Sequence, residues 1–240
     1  MHRPNLVLTN GFTIGYRGHP VASVPDDIAI QPVPGLASIS ILTGSNGSGK
    51  TTLLRTLAGI IPSLAGGATL SDEPLEQLHR KGRLCYMPEI LEFMPHLTPL
   101  QIFKALCPEH FHDVKRTAAA IDLSLASKAF NELSKGNRQK VRFLLTYLKA
   151  KPCNLLLLDE PFSGFDIESR QSAMTLLRDA FTDNGRRLII SLHTEQLPDG
   201  WCDSTIGLVD RQIRVGPAFH SVYDAQKYFT EKTSTAPHRP

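Results

Sequence analysis

In residues 43–54, TGSNGSGKTTLL, three glycines are followed by a lysine and two threonines, directly after the alternating stretch ASISIL. Glycine packs nothing and costs backbone entropy, so such a cluster implies a bound group that backbone N–H groups must approach closely. The stretch fits G-x-x-x-x-G-K-[ST] through Gly44, Gly49, Lys50 and Thr51, with Gly47 inside. In that pattern the N–H groups of Gly44, Ser45, Asn46, Gly47, Ser48 and Gly49, with the helix start running on through Thr52, cradle phosphates. Lys50 would reach the β- and γ-phosphates, and the Thr51 hydroxyl would bind Mg²⁺. A second piece of chemistry sits in NLLLLDEP at 154–161, an apolar strand that delivers two carboxylates at its C-terminal end. Asp159 there would hold Mg²⁺ through water, and Glu160 would orient or deprotonate an attacking water. Binding and hydrolysis of a triphosphate is the chemistry these residue types can perform.

The flanking elements must bring the two pieces together. Strand signals recur at 37–43, 83–87, 154–158 and 187–193, and 205–215 reads as a hairpin turning at Asp210-Arg211. Helical patterns lie between them at 50–59, 137–149 and 167–182, the last ending before Asn184-Gly185. This alternation predicts an α/β fold with a mostly parallel sheet, whose ligands bind at the carboxyl ends of the strands. Residues 91–136 carry no strand signal. Thr98 as N-cap and Pro99 at the first helical position open one helix, and 113–130 supplies a second helical pattern. This segment is expected to be a helical insertion, and the tail 230–240 to be frayed.

Bulk properties exclude several classes. The 240 residues carry a net charge of +3, too little to argue for nucleic acid as a partner. No apolar run approaches the roughly 18 residues that a membrane helix needs, and the N-terminus lacks an apolar signal core, so a cytoplasmic chain is expected. Cys85, Cys107, Cys153 and Cys202 form no C-x-x-C pair, and Cys107, His110 and His112 fit no structural zinc spacing.

With LSKGNRQK at 133–140 added, the chain resembles the nucleotide-binding subunit of an ATP-binding-cassette (ABC) transporter, from about Tyr16 to the hairpin near Val215. The resemblance implies a P-loop NTPase core with a mostly parallel sheet, an N-terminal antiparallel β portion and an inserted helical subdomain. It makes 1–240 a single ABC ATPase domain, with 1–90 and 150–240 as nucleotide-binding core and 91–149 as helical subdomain with the signature. The family's L-S-G-G-Q contacts the ATP of the opposite subunit, which assigns that role to Ser134, Lys135 and Gly136; Lys135 replaces a glycine and Asn137 a glutamine. Lys135 either points toward the sandwiched ATP or runs away along the surface. Asp166 falls in the family's loop at the dimer interface, where it can equally be a helix N-cap. His193 resembles the switch histidine that senses γ-phosphate, and Tyr16 either stacks on adenine or is core. Glu89 stands where the family has a glutamine touching Mg²⁺ and the attacking water; it either keeps that role or links the insert to the core.

The resemblance further implies ATP and Mg²⁺ as cofactors. It also implies a head-to-tail second cassette (identical or not) and a transmembrane permease on a separate chain that holds this one at the cytoplasmic side of the membrane. The compact insert and the lack of a domain after the hairpin suggest an exporter. A soluble assembly ATPase, such as those of iron–sulfur biogenesis, is the alternative. Chromosome and repair members are excluded, because the span from Arg55 to Gly136 leaves no room for long coiled coils.

Overall fold

The four-leucine run in NLLLLDEP is buried along its whole length, because helices and a second sheet cover both faces of the strand it forms. The computed structural model describes residues 5–125, 128–182, 185–193 and 196–234. In chain order, β1 (Leu6–Leu8), β2 (Thr13–Tyr16), β3 (His19–Ser23) and β4 (Ile28–Ile30) precede β5 (Ile39–Gly44) and α1 (Lys50–Leu57). Next come β6 (Ala68–Leu70), β7 (Glu73–Pro74), α2 (Leu75–Arg80), β8 (Leu84–Met87), α3 (Pro99–Leu106), α4 (Phe111–Ala120) and α5 (Lys135–Lys149). The last elements are β9 (Leu155–Asp159), α6 (Ile167–Phe181), β10 (Arg187–Ser191), β11 (Ser204–Val209), β12 (Gln212–Gly216) and α7 (Val222–Ser234).

The described strands form an eight-stranded mixed sheet in the order β2-β3-β12-β11-β5-β10-β9-β8 and a four-stranded sheet in the order β4-β1-β6-β7. From β11 to the terminal strand β8, the five strands β11, β5, β10, β9 and β8 are all parallel, so their carboxyl ends lie on one side. Alternate residues of one strand feed two cores. Leu156, Leu158, Leu188 and Ile190 pack with Phe143, Leu144 and Met174 of α5 and α6, while Leu155, Leu157 and Ile189 pack with Leu53, Leu54 and Leu57 of α1 and with the antiparallel strands.

The expected α/β architecture, its antiparallel N-terminal portion and the helical insertion are all present, with no strand among the described residues of 91–136. The turn at Asp210-Arg211 has φ of 49° and 60°, the left-handed pair that a tight two-residue hairpin requires. Several expectations are corrected. The helical pattern over 113–130 stops at Ala120, because Asp122 adopts φ 50° and turns the chain; a short 3₁₀ turn follows at Phe130–Glu132. The helix expected from 137 begins at Lys135, since the Ser134 hydroxyl accepts the Asn137 N–H and caps it two residues earlier. The strand expected to 193 ends at Ser191, which frees His193. The tail is helical as far as Ser234, because Phe229 of α7 is buried against β11 and β12. Asn184 and the tail beyond 234 lie outside the described residues.

Candidate functional site

The glycine loop leaves the carboxyl end of β5 and enters α1. Gly49, the residue before the helix, has φ 108°, and a Cβ there would lie 2.5 Å from Val21 Cγ1; a Cβ on Gly44 would lie 2.5 Å from Ser48 Oγ. Neither position accepts a side chain, so the loop's bend follows directly from its glycines. Lys50, only 8% exposed, donates through Nζ to the carbonyls of Gly44 (2.8 Å) and Ser45 (3.1 Å). Burial lowers its pKa, while the nearby Glu160 and Asp159 carboxylates raise it. Thr52 is buried and Thr51 half-buried in the first turn, and Ser45, Asn46 and Gly47 are exposed.

The next two strands of the sheet bring in the carboxylates. Asp159 closes β9 at 1% exposure; its Oδ1 accepts from Ser191 Oγ (2.7 Å), and its Oδ2 is buried without a hydrogen-bond partner among the described residues. An unpaired buried carboxylate oxygen is costly unless a cation or donor completes it. Glu160, one residue on, adopts φ 48°, uncommon for a residue with a side chain. Three contacts hold it there. Its N–H donates to Ser191 Oγ (2.9 Å), its carbonyl accepts from Gln139 Nε2 (3.1 Å), and its Oε1 lies 2.6 Å from His193 Nε2. One buried hydroxyl, Ser191, thus fixes both acids.

Ser191 and Gln139 were not singled out by sequence reasoning. Their signals were a serine ending the apolar strand RLIIS and a glutamine on the inward face of the helix after LSKG. The other site residues spread around this group. Tyr16 ends β2 at 49% exposure, outside the core. Glu89 is exposed in the loop after β8.

Ser134 and Lys135 are exposed at the start of α5. Gly136 beside them is pressed on the loop before α6, where a Cβ would lie 2.3 Å from the Gly164 carbonyl oxygen. Asp166 caps α6: Oδ1 accepts from the Ser169 N–H (2.8 Å), and Oδ2 from Ser169 Oγ (2.9 Å) and Lys140 Nζ (3.0 Å). Those donors, the Ser169 N–H foremost, hold its carboxyl far below the usual carboxylate range. Cys107 is buried in the core at the end of α3, apart from this chemistry.

A glycine loop between strand and helix, with two acids at the end of a parallel strand two places along the sheet, defines a P-loop nucleotide-binding fold. The family model described as ABC transporter matches residues 36–163. Among known proteins, the chain is 30% identical over 223 residues to the manganese transport system ATP-binding protein MntB of Listeria monocytogenes, covering 86% of this chain and 88% of that protein. It is 33% identical over 167 residues to the vitamin B12 import ATP-binding protein BtuD of Yersinia enterocolitica, covering 63% of this chain and 65% of that protein. A solved ATP-binding subunit of an ABC transporter, 21% identical, superposes with a TM-score of 0.70 over 94% of this chain and 93% of that one. The chain belongs to the ABC transporter family and is an ATP-binding, ATP-hydrolysing subunit.

Proposed function

We propose that this chain binds MgATP on the glycine loop and hydrolyses it with Glu160 as the base or orienting group for water. The observation that carries this reading is the Ser191 hydroxyl, which sets Asp159 and Glu160 side by side near Lys50. Lys50 would leave the loop carbonyls for the β/γ-phosphates, and His193 would report the γ-phosphate through its contact with Glu160. The Asp159 Oδ2 without a partner and the Thr51 hydroxyl are hard oxygen donors of the kind Mg²⁺ takes beside phosphate oxygens. Mg²⁺ supplies charge neutralisation on those phosphates. Glu89, exposed in the loop after β8, would approach the same phosphates or face a partner. Tyr16, half-exposed, offers its ring to adenine.

Ser134, Lys135 and Gly136 open a helix whose N-terminus suits phosphate oxygens, and Asp166 braces the adjoining loop. In this reading they serve the ATP of a second, head-to-tail cassette, which completes each site. Residues 91–149 form the helical subdomain of a single 1–240 cassette, and 1–90 with 150–240 form its core. No helix among the described residues is long and apolar enough to cross a membrane. In this reading the transport path belongs to a permease on a separate chain, which holds this one at the cytoplasmic face, as the relatives named as ATP-binding proteins of transport systems favour. The relative named as a B12 importer favours uptake over the export suggested by the compact insert. Purification from detergent-extracted membranes tests the assembly: a multi-span protein without its own cassette should accompany the chain. Recovery with soluble assembly proteins alone would favour the iron–sulfur alternative.

Lys135 departs from the family glycine, and it is exposed in the first turn of α5. A long side chain there can run along the surface with its ammonium in water. Lys135→Gly in the assembled transporter is expected to keep ATPase activity within about threefold, under ~0.7 kcal/mol of barrier. A loss beyond ~30-fold, about 2 kcal/mol, would make Lys135 a contact to the partner's ATP.

A further inference from the structure

Arg142, eight positions after Ser134 on α5, is a buried arginine whose fork reaches three places at once. Its Nε donates to the Leu91 carbonyl, its Nη2 to Glu92 Oε1 (2.6 Å), and its Nη1 to Gln139 Oε1 (3.0 Å). Its guanidinium lies 5.7 Å from the centre of the Phe130 ring. Leu91 and Glu92 belong to the loop that follows Glu89, about fifty residues away in sequence, so one side chain ties that loop to the helix. Gln139 has a second task, donating through Nε2 to the Glu160 carbonyl. An amide side chain has one oxygen and one NH₂. Because Arg142 can only donate, it holds the Gln139 oxygen toward itself and turns the NH₂ toward Glu160.

We infer that Arg142 is a positioning residue for hydrolysis: through Gln139 it latches the left-handed backbone of Glu160, and through Leu91 and Glu92 it links that latch to the loop after Glu89. Without Arg142 the buried Gln139 oxygen loses its donor and the amide loses the anchor that fixes its NH₂ on the Glu160 carbonyl, so the latch loosens. The phosphate cradle shares none of these bonds, so loss of Arg142 acts on turnover and spares ATP binding. The inference rests on the reading of Glu160 as the group that prepares the water.

Steady-state ATPase kinetics on the assembled transporter test it. Arg142→Met, which keeps the apolar stem, is expected to lower kcat about tenfold with the KM for ATP within about twofold. Arg142→Lys retains one donor toward Gln139 and is expected to recover kcat to within about threefold of wild type. Adding Arg142→Met to Gln139→Leu should slow the enzyme by less than about twofold further, since both act on one latch. A kcat for Arg142→Met within twofold of wild type would overturn the inference, as would full additivity with Gln139→Leu or a KM that rises in step with the loss of kcat. If thermal melting shows Arg142→Met unfolded, the exposed partner supplies the test. Glu92→Gln should then lower kcat about threefold at unchanged KM, and an unchanged kcat counts against the latch. Failure of the underlying reading would look different: Glu160→Gln would turn over like wild type, whatever the Arg142 variants do.

Discussion

Glu160→Gln is expected to leave MgATP bound while turnover falls by about 10²-fold or more, the scale of a lost general base. Glutamine keeps the shape of the side chain and an acceptor oxygen, but it cannot take up the proton of an attacking water. Two of the three contacts that hold residue 160 in its left-handed conformation, to Ser191 Oγ and Gln139 Nε2, come from its backbone and so survive the substitution. Asp159 keeps its own bond to Ser191, and Lys50 keeps its loop. Binding and chemistry should therefore separate. With hydrolysis blocked, the ATP-bound pair of cassettes should accumulate and appear at twice the subunit size in gel filtration with MgATP. Turnover equal to wild type would mean that another group prepares the water.

The chemistry was legible in the sequence because glycine loops and acidic strand ends are local signals. Gly44, Gly49, Lys50, Asp159 and Glu160 needed only their own neighbourhood to be read. The central parallel strands were legible for the same reason, since runs such as RLIIS and NLLLL are short, apolar and bounded by polar residues. Less visible were elements whose order depends on distant partners. Strands of three residues, such as Leu6–Leu8 and Ile28–Ile30, gain their pairing from each other across the chain, and no window shows that. The helix at 222–234 looks polar in sequence and is fixed by Phe229 seated on the sheet. The pattern over 113–130 misled in the other direction: its alanines and lysine favour helix, but the backbone turn at Asp122 ends it first. Ser191 and Gln139 were missed because a single serine or glutamine carries no motif. Their bonds to Asp159 and Glu160 form only when β9, β10 and α5 meet.

Lys50→Ala is expected to remove most triphosphate affinity, raising Kd for MgATP by about 10²-fold or more. Hydrogen bonds to charged groups contribute roughly 1.5–3 kcal/mol each, and each 1.4 kcal/mol is about tenfold in Kd. The loss should be specific to binding, because this lysine is not an evident source of stability in the free chain. Its ammonium is buried on two neutral carbonyls, Gly44 and Ser45, and burial is the largest influence on its pKa, pulling it down. Alanine removes that desolvation together with the two bonds, so the melting temperature without nucleotide should move little. The response to nucleotide should change instead. A ligand that binds only the folded state at 100 times its Kd stabilises by about 2.7 kcal/mol, which for a chain of this size shifts the melting temperature by several degrees, at roughly 2–4 °C per kcal/mol. Wild type should show that shift with MgATP, and Lys50→Ala should lose it at the same concentration. Calorimetric titration checks the affinity directly. An unchanged Kd would place the triphosphate away from the glycine loop, and a collapse of stability in the nucleotide-free variant would mean that Lys50 holds the loop rather than the phosphates.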